Sequence, residues 1–440
     1  MHLFLLGAGH VGLVTAVGLA RLGHQVTVAD IDPARIEGLR AGRAPIYEPG
    51  LDDALVELRG RLGFATDLRP PDGVRHSFVA VGTPQGPDGP LSLDHVLNAV
   101  GGLLEVTGPG HTIVVRSTLR MAGPAALASL RGARPDAPAI VTNPEFMREG
   151  SALRDFANPG RVITGWIDER DRPAAEEVIT LYAGIDAPTL VADATSVALI
   201  KLASNVFLAM KVAYANELAR LSDAFGADAP LVADGLGMDV RIGRAFLDAG
   251  PGFGGSCLPE QAVALAGIAA AAGVPAPLID SIAVANRTHQ GAIAERLGRL
   301  IAEAEGSGPP RQGPEALRGA QIGVLGLAFK ANTDDVRESP AIAIAAELRA
   351  AGANVTGTDP RASAAAQRAD PELVVVATPA EAAAGADAIM IATEWPEYGS
   401  LDWAAIAAVM RGTVVYDTRG IADPAAVAAA GLTLERLGRR

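Results

Sequence analysis

The stretch Leu3-Phe4-Leu5-Leu6-Gly7-Ala8-Gly9-His10-Val11-Gly12 stands at the start of the chain and decides its fold class. The four apolar residues predict a short buried strand, and the glycines after them predict a tight turn into a helix. In such a turn Gly7 makes the bend, Gly9 lets the backbone approach a pyrophosphate, and Gly12 lets the helix pack against the strand. Because a helix N-terminus attracts phosphate, the stretch, with Val11 inside it, predicts a dinucleotide-binding turn.

Asp30 lies where such a turn needs an acidic partner, directly after the second predicted strand. A carboxylate there accepts hydrogen bonds from the adenosine ribose and disfavours a 2′-phosphate, so the expected cofactor is NAD rather than NADP. Arg35 is placed to reach the adenosine side, and a solvated helix charge is an equal alternative. A glycine turn without a ligand is the alternative for the whole motif, and the spacing of Asp30 argues against it.

Apolar runs typical of buried parallel strands alternate with helical segments in the first and last parts of the chain. This alternation predicts an α/β protein with two Rossmann-like, doubly wound domains. The helices that follow the first two strands are predicted at Val11–Leu22 and Pro33–Ala41. Strands are predicted at residues 3–6, 26–29, 77–81, 112–116 and 140–142, and again at 322–325, 354–358, 373–376, 388–392 and 414–416.

The middle of the chain is predicted to be helical. A helix from Thr195 to Phe225 has apolar residues at helical spacing and no internal Gly or Pro, which suits a spine between domains or a dimer interface. More helix is predicted from Gln261 to Gly306, and Gly306–Pro314 has the composition of a linker. We therefore predict an NAD-binding Rossmann domain at 1–194, a central helical and dimerisation domain at 195–306, and a second Rossmann-like domain at 307–440.

The composition narrows the class of protein. The 440 residues are 49% hydrophobic and 20% charged, with a formal net charge of −13. Nucleic-acid and acidic-membrane surfaces need clustered positive charge, so we predict neither partner. A single cysteine excludes an intramolecular disulfide framework and fits a reducing cytoplasm. The N-terminal run is short and has no basic leader, so no secretory signal is expected, and no pattern predicts a metal site.

The only cysteine, Cys257, follows the stretch Gly250-Pro251-Gly252-Phe253-Gly254-Gly255-Ser256. A buried structural thiol is the ordinary fate of a lone cysteine. A core cysteine needs no flexible loop around it, however, and here four glycines precede it. The segment after Cys257 is predicted to be a helix, whose N-terminus would stabilise the thiolate. The pattern therefore favours a reactive thiol.

Other motifs stand at predicted strand ends and in the helical middle. They are Tyr47-Glu48-Pro49-Gly50-Leu51, Val81-Gly82-Thr83-Pro84, Arg116-Ser117-Thr118-Leu119, Asn143-Pro144-Glu145-Phe146-Met147-Arg148-Glu149-Gly150, Lys201-Leu202-Ala203-Ser204-Asn205, Arg241-Ile242-Gly243, Gly326-Leu327-Ala328-Phe329-Lys330 and Asp334-Asp335-Val336-Arg337-Glu338-Ser339. With the glycine turn and the Cys257 loop, they resemble the UDP-glucose/GDP-mannose dehydrogenase family over essentially the whole chain. The first of them and the Cys257 loop favour the branch that oxidises UDP-glucose.

The resemblance implies a four-electron oxidation of a nucleotide-sugar CH₂OH to a carboxylate with two NAD, as in UDP-glucose to UDP-glucuronate. It implies that Cys257 adds to the aldehyde to give a thiohemiacetal, which becomes a thioester that water hydrolyses. Lys201 and Asn205, one helical turn apart, would stabilise the oxyanion. Glu145 would act as general base through a water that Thr118 orders. A snorkelling surface lysine is the alternative for Lys201 taken alone.

The same resemblance assigns the remaining site residues. Thr118, Glu149, Thr83 and Arg337 are similar to NAD contacts, with a capping or surface carboxylate as the alternative for Glu149. Arg241 is similar to the family arginine that reaches the substrate of a partner subunit. This resemblance implies a homodimer. A UDP-sugar is the implied substrate partner, and its expected contacts are Glu145, Phe146, Lys201, Asn205, Arg241, Phe253, Gly254 and Lys330.

The chain departs from the family pattern directly after the cysteine. The family continues as Cys-x-Pro-Lys-Asp, whereas this chain has Glu260 and Gln261 at the last two positions. The family aspartate pairs with the helix lysine, so Lys201 is expected to lose a carboxylate partner and turnover is expected to be impaired or altered. Two alternatives stay open: a nucleotide-sugar-binding paralogue without turnover, and a dehydrogenase of another nucleotide sugar.

Overall fold

The apolar run that opens the chain forms an inner strand of an eight-stranded sheet. The computed structural model describes residues 1–84, 86, 91–305, 315 and 317–439, and it divides into two compact units, Met1–Ser204 and Asn205–Arg440. The strands of the first unit are β1 (His2–Leu6), β2 (Gln25–Ala29), β3 (Leu62–Ala65), β4 (His76–Val79), β5 (Thr112–Val115), β6 (Ala139–Thr142), β7 (Val162–Trp166) and β8 (Thr189–Asp193). Their order in the sheet is β3-β2-β1-β4-β5-β6-β7-β8.

Helices lie between these strands. They are α1 (His10–Arg21), α2 (Pro33–Arg40), α3 (Leu51–Glu57), α4 (Asp94–Val106), α5 (Gly123–Arg131), α6 (Ala152–Ala157) and α7 (Arg172–Thr180). One buried cluster packs α1 against β1 and β2, and another packs α4 against β4 and β5. The sheet is therefore covered on both faces, as continuous apolar strands require.

The second unit begins with long helices and ends with a six-stranded sheet. The helices are α8 (Ala194–Phe225), which starts in the first unit, α9 (Ala229–Gly237), α10 (Cys257–Ala271), α11 (Pro277–Glu305), α12 (Pro340–Ala350), α13 (Ser363–Ala369), α14 (Pro379–Ala383), α15 (Trp403–Val409) and α16 (Pro424–Ala429). The strands are β9 (Gln321–Leu325), β10 (Asn354–Thr358), β11 (Val374–Val375), β12 (Ala388–Ile391), β13 (Val414–Asp417) and β14 (Thr433–Arg436), in the sheet order β11-β10-β9-β12-β13-β14.

The two sheets share a strand order that sequence comparison by eye does not reveal. Strands β1 to β6 follow the order 3-2-1-4-5-6 of a doubly wound nucleotide-binding sheet, and β9 to β14 repeat it. Gly326 turns out of β9 with φ +95, as Gly7 turns out of β1 with φ +101. The predicted α/β class with two Rossmann-like sheets and helices between them is confirmed.

Several elements differ from the sequence prediction. The strands β3, β7, β8 and β14 were not predicted, and β7 runs antiparallel to β6. The helical stretch predicted from Gln261 to Gly306 contains two helices within the described residues, because Gly273, at φ +68, and Pro275 separate α10 from α11. The predicted linker Gly306–Pro314 lies outside the described residues.

One helix in the described part of the chain, α8, is long and apolar enough to cross a membrane by length and composition. Of its most apolar 18-residue window, 44% is buried inside the protein. The core helices of many proteins pass the same test, so this is weak evidence for a membrane span.

Candidate active site

The glycine turn after β1 has the geometry that its sequence predicts. A Cβ on Gly7 would lie 2.5 Å from the Ala80 carbonyl oxygen, and one on Gly12 would lie 1.9 Å from the Gly7 carbonyl oxygen. These contacts, and the positive φ of Gly7, exclude larger residues at both positions. Around Gly9 a Cβ would meet nothing within 4 Å. The backbone at Gly9 is therefore open to a ligand.

Asp30 is fixed beside this turn. The Ala8 N–H donates to its Oδ2 atom at 2.7 Å and the Asp32 N–H donates to its Oδ1 atom at 3.0 Å. Arg35 also donates to Oδ2, at 3.0 Å. Partial burial would raise the pKa of Asp30, but two backbone N–H groups and the Arg35 guanidinium hold it below its usual value. Asp30 is therefore an oriented carboxylate at neutral pH, and Arg35 is its ion-pair partner.

A cavity of about 740 Å³ opens beside the turn, within the first unit. Gly7, Gly9, Asp30 and Arg35 line one part of it, and Gly82 and His95 line another. Its volume is within the range of cofactor pockets. The close-packed glycines, the open backbone at Gly9 and the oriented Asp30 carboxylate together fit the adenosine pyrophosphate half of NAD.

A buried ion pair joins the end of β6 to α8. The Lys201 Nζ atom donates to the Glu145 carbonyl at 2.6 Å and to the Glu145 Oε1 atom at 2.9 Å. The two side chains are 3% and 8% exposed, so the lysine is not a snorkelling surface residue. The Lys201 ammonium also lies 5.2 Å from the centre of the Phe146 ring. A cation and a carboxylate are thus held at one buried point.

The charge state of Glu145 follows from its neighbours. Burial would raise the pKa of the Glu145 carboxyl, but the Lys201 ammonium, the Met147 N–H and the Arg116 guanidinium together hold it below its usual value. We expected Lys201 to lose a carboxylate partner because Gln261 replaces an aspartate. Instead, Glu145 supplies a carboxylate within the first unit.

Glu48 is a residue whose role sequence reasoning missed. Its Oε2 atom accepts from the Gly150 N–H at 2.7 Å, and its Oε1 atom accepts from the Ala152 N–H at 2.8 Å. The His10 ring also bonds Oε2, at 2.7 Å. Burial would lower the pKa of His10, but the carboxylates of Glu48, Glu149 and Glu145 together outweigh it and raise the pKa. Glu48 therefore ties the glycine turn to the loop that carries Glu145.

Cys257 is the first residue of α10 and is partly exposed. Its sulfur lies 3.8 Å from the Ser256 hydroxyl. The glycines before it allow close packing: a Cβ on Gly252 would lie 2.7 Å from the Asn286 Oδ1 atom, and one on Gly254 would lie 2.4 Å from the Glu338 carbonyl oxygen. The predicted place of the thiol at a helix N-terminus is confirmed.

Side chains of the second unit hold the backbone of this loop. Asn216 accepts from the Gly250 N–H at 2.9 Å. Asn286 accepts from the Phe253 N–H at 2.9 Å and donates to the Phe253 carbonyl at 3.0 Å. The His289 Nε2–H donates to the Gly250 carbonyl at 2.7 Å. The loop is therefore a rigid support for Cys257.

Of the two positions that depart from the family pattern, Glu260 lies in the first turn of α10 and Gln261 follows it. Burial raises the pKa of Glu260, which the Arg337 guanidinium opposes and two neighbouring carboxylates reinforce. Gln261 is 2% exposed, and its Oε1 atom has no hydrogen-bond partner among the described residues. A buried acceptor without a partner costs free energy of folding. The Gln261 side chain is therefore not well accommodated at this position.

The remaining predicted residues fall on both units. Thr83, Thr118 and Glu149 are partly buried in the first unit, and Asn205 follows Lys201 by one turn of α8. Arg241 is 85% exposed and pairs with Asp239. The Lys330 ammonium lies 5.5 Å from the Phe329 ring centre, and Arg337 pairs with Asp335. The roles assigned to these residues, and the idea that Cys257 and Lys201 serve one substrate carbon, stay predictions.

No group of three or more His, Cys, Asp and Glu within the described residues is placed to hold a metal ion.

Comparison with known proteins agrees with this geometry. Residues 1–186 match the NAD binding domain of the UDP-glucose/GDP-mannose dehydrogenase family, residues 195–288 match its central domain, and residues 323–424 match its UDP binding domain. A UDP-glucose 6-dehydrogenase of Rhizobium meliloti is 38% identical over 100% of both chains. A UDP-glucose 6-dehydrogenase of Bacillus subtilis, YwqF, is 35% identical over 100% of this chain and 98% of its own.

Solved structures give the same result. A UDP-glucose dehydrogenase from Pyrobaculum islandicum has a TM-score of 0.83 and 37% identity, covering 100% of this chain and 98% of its own. A UDP-D-ManNAc dehydrogenase from Pyrococcus horikoshii has a TM-score of 0.82 and 27% identity, covering 100% and 99%. The chain therefore belongs to the UDP-glucose/GDP-mannose dehydrogenase family and is an NAD-dependent nucleotide-sugar dehydrogenase.

Proposed function

We propose that the protein oxidises the C6 alcohol of UDP-glucose to the carboxylate of UDP-glucuronate, using two NAD for each sugar. The observation that carries this proposal is the Cys257 thiol, which begins α10 at the end of a rigid glycine loop. A thiol is needed only if the aldehyde is carried on to the acid, because a simple alcohol oxidation needs no nucleophile. The UDP-glucose 6-dehydrogenase relatives support the choice of sugar.

The chain's own groups suit the steps that follow. Bound NAD would supply the hydride acceptor that each of the two oxidations requires. The Cys257 thiolate adds to the aldehyde, so that a C–S bond forms and the carbonyl oxygen becomes an oxyanion. The Lys201 ammonium and the Asn205 amide stabilise this oxyanion. After the second oxidation, water attacks the thioester, the C–S bond breaks, and Cys257 leaves as the thiolate.

Glu145 takes the proton from the attacking water, with Thr118 orienting that water. The lowered pKa of Glu145 means that it is a carboxylate at neutral pH and is free to accept a proton. The contact with Lys201 holds the carboxylate in one orientation. The base and the oxyanion-stabilising cation are therefore positioned by each other.

The three-domain organisation predicted above is part of the proposal. The NAD-binding domain at 1–194 uses Gly7, Gly9, Val11, Gly12 and Asp30 for the cofactor, and the domain at 307–440 takes the UDP-sugar. Thr83, Thr118, Glu149 and Arg337 remain proposed cofactor contacts, and Phe146, Arg241, Phe253, Gly254 and Lys330 remain proposed substrate contacts. The nucleotide-sugar substrate and the reduced thiol fit a cytoplasmic enzyme.

A direct assay tests the proposed reaction. Purified protein with UDP-glucose and NAD is expected to form two NADH for each UDP-glucose consumed. The NADH is measured by its absorbance once the reaction has gone to completion. UDP-N-acetylhexosamines and GDP-mannose, tested in parallel, are expected to give no NADH. Turnover of one of those sugars instead would favour a different dehydrogenase. Tight UDP-glucose binding without NADH from any sugar would favour a binding paralogue without turnover.

We also propose that the protein is a homodimer that pairs through α8. Phe207, Tyr214 and Leu221 recur every seven residues and are 57%, 50% and 51% exposed. A seven-residue repeat puts them on one face of the helix, and an exposed apolar stripe of this kind marks an interface. Phe225, the last residue of α8 and one helical turn after Leu221, is 83% exposed.

The dimer is testable by mass in solution. Light scattering is expected to give twice the chain mass for the natural protein and the single-chain mass for Phe207→Glu/Tyr214→Glu at micromolar concentration. Val374→Glu is the matched control, because Val374 is 58% exposed but lies in the short strand β11. A natural protein of single-chain mass, or a double variant that stays dimeric, contradicts this interface.

The exchange of two residues after the cysteine tests the proposed impairment. Glu260→Lys/Gln261→Asp is expected to raise kcat by roughly two- to tenfold, because a carboxylate would replace the amide whose oxygen has no partner. Gln261→Asn is the control, since it changes length without adding charge, and it is expected to leave kcat unchanged or lower. An unchanged or lower kcat in the double variant would show that the loop has repacked around Glu260 and Gln261.

A further inference from the structure

A cavity of about 870 Å³ lies wholly within the second unit, apart from the residues assigned to cofactor or substrate above. It lies among α8, α11 and the strands β13 and β14. Arginines from three of these elements and from the C-terminal segment face it. They are Arg220, Arg296, Arg299, Arg436 and Arg439.

The cavity is strongly positive for a chain whose formal net charge is −13. Only two carboxylates of the described residues, Asp223 and Glu435, line it against five guanidinium groups. The lining histidine, His289, adds no charge, because burial lowers its pKa to about 4. The surplus of positive charge is therefore about three.

Three of the five arginines already have partners. Arg220 donates to the His289 Nδ1 atom at 2.6 Å. Arg296 pairs with Glu435 at 3.4 Å and with Glu303 at 3.5 Å. Arg436 donates to the Ala422 carbonyl and lies 4.0 Å from Asp417. These contacts fix the walls of the cavity.

The other two arginines, Arg299 and Arg439, make no side-chain hydrogen bond or ion pair with any residue in the described part of the chain. A planar guanidinium presents paired N–H donors whose spacing matches two oxygens of a phosphate. Like charges gathered around one space repel each other, so an anion between them lowers the free energy of the folded state. The arrangement thus calls for a ligand with more than one negative charge.

Apolar side chains complete the wall. Ile293, Leu434 and Leu437 line the same cavity beside the buried ring of Tyr416. A mixed surface of this kind suits a ligand with an organic part as well as phosphate groups, and the volume is within the range of small-ligand pockets. Inorganic polyphosphate would use the arginines alone.

We propose that this cavity is a binding site for an organic polyphosphate of nucleotide size, held mainly by Arg299 and Arg439. It is distinct from the cofactor cavity, which lies in the first unit. The site would add an effector ligand to an enzyme that already binds two nucleotides.

Calorimetric titration of the full-length protein tests this site. Saturating NAD and UDP are added first to fill the other nucleotide sites without reaction, and then ATP and inorganic pyrophosphate are titrated separately. ATP is expected to bind with one site per chain and to bind more weakly as salt rises. Tighter binding of ATP than of pyrophosphate supports a ligand with an organic part, and equal binding of the two overturns that part of the proposal.

Two double variants separate this site from general charge effects. Arg299→Gln/Arg439→Gln is expected to weaken ATP binding by at least about tenfold. Arg21→Gln/Arg172→Gln also removes two positive charges, from exposed ion pairs of the first unit, and is expected to bind ATP as the natural protein does. The same melting temperature for both variants confirms that they are folded. The proposal is overturned if neither ATP nor pyrophosphate binds, or if Arg299→Gln/Arg439→Gln binds ATP as tightly as the natural protein does.

Discussion

Cys257→Ala is expected to lower the steady-state rate of NADH formation from UDP-glucose by at least about 1000-fold. Without the thiol, an aldehyde formed in the first oxidation has no covalent attachment, and no thioester can form. The stoichiometry is the sharper measurement. Under single-turnover conditions, the natural protein is expected to form two NADH per sugar, and the variant is expected to form one at most.

Ser256→Ala is the matched control for this experiment. Its hydroxyl lies 3.8 Å from the Cys257 sulfur, so the control alters the same loop without removing the nucleophile. We expect it to keep two NADH per sugar and to stay within about tenfold of the natural rate. If Cys257→Ala still formed two NADH per sugar, the thiohemiacetal route would be wrong and water would have to hydrate the aldehyde directly.

The sequence predicted the strands that are short, continuous apolar runs, five in each sheet. The strands that were missed lack this pattern. In β8 the burial alternates poorly and both ends are exposed, and β7 carries a glycine within Val162–Trp166. The other missed strands, β3, β8 and β14, lie at sheet edges, where less surface is buried and composition is less constrained, whereas β7 lies inside its sheet. Gly273 and Pro275 are the residues that end α10 before α11 begins. They are easily overlooked in the sequence, because the alanine-rich run before them favours helix.

The site residues that belong to one short motif could be predicted from the sequence. The contacts between residues far apart in the chain could not. The glycine turn, Asp30 and the position of Cys257 follow from local spacing. Glu48, by contrast, contacts Gly150 and Ala152, which are about a hundred residues further along the chain. The partner of Lys201 was missed for the same reason, because a comparison with the family pattern draws attention to Gln261 and gives no sign of Glu145.

Lys201→Met is expected to destabilise the protein and to abolish most of its activity. The variant leaves the Glu145 carboxylate buried without its cation, which costs about 3–5 kcal/mol in the free energy of unfolding at pH 7. It also removes the charge that stabilises the oxyanion, so kcat/KM is expected to fall by about 100- to 1000-fold. Urea unfolding and initial rates measure the two effects separately.

The pH dependence of this loss has a definite sign. In the natural protein, the pKa of Glu145 is held below its unfolded value, so the ion pair contributes stability above the unfolded pKa and loses it as pH falls through the folded pKa. In Lys201→Met the pKa of Glu145 rises, and a protonated Glu145 needs no cation. The difference in stability between the two proteins is therefore expected to be largest at pH 7 and to shrink toward pH 4.

A second substitution separates the structural effect from the catalytic one. Lys201→Met/Glu145→Gln removes both charges, so most of the lost stability is expected to return while kcat/KM stays low. Lys211→Met is the stability control on the same helix, because among the described residues Lys211 donates to just the Ile242 and Gly243 carbonyls, and the variant is expected to cost less than about 1 kcal/mol. Recovery of activity together with stability in the double variant would mean that the buried pair supports the fold alone, and that another cation stabilises the oxyanion.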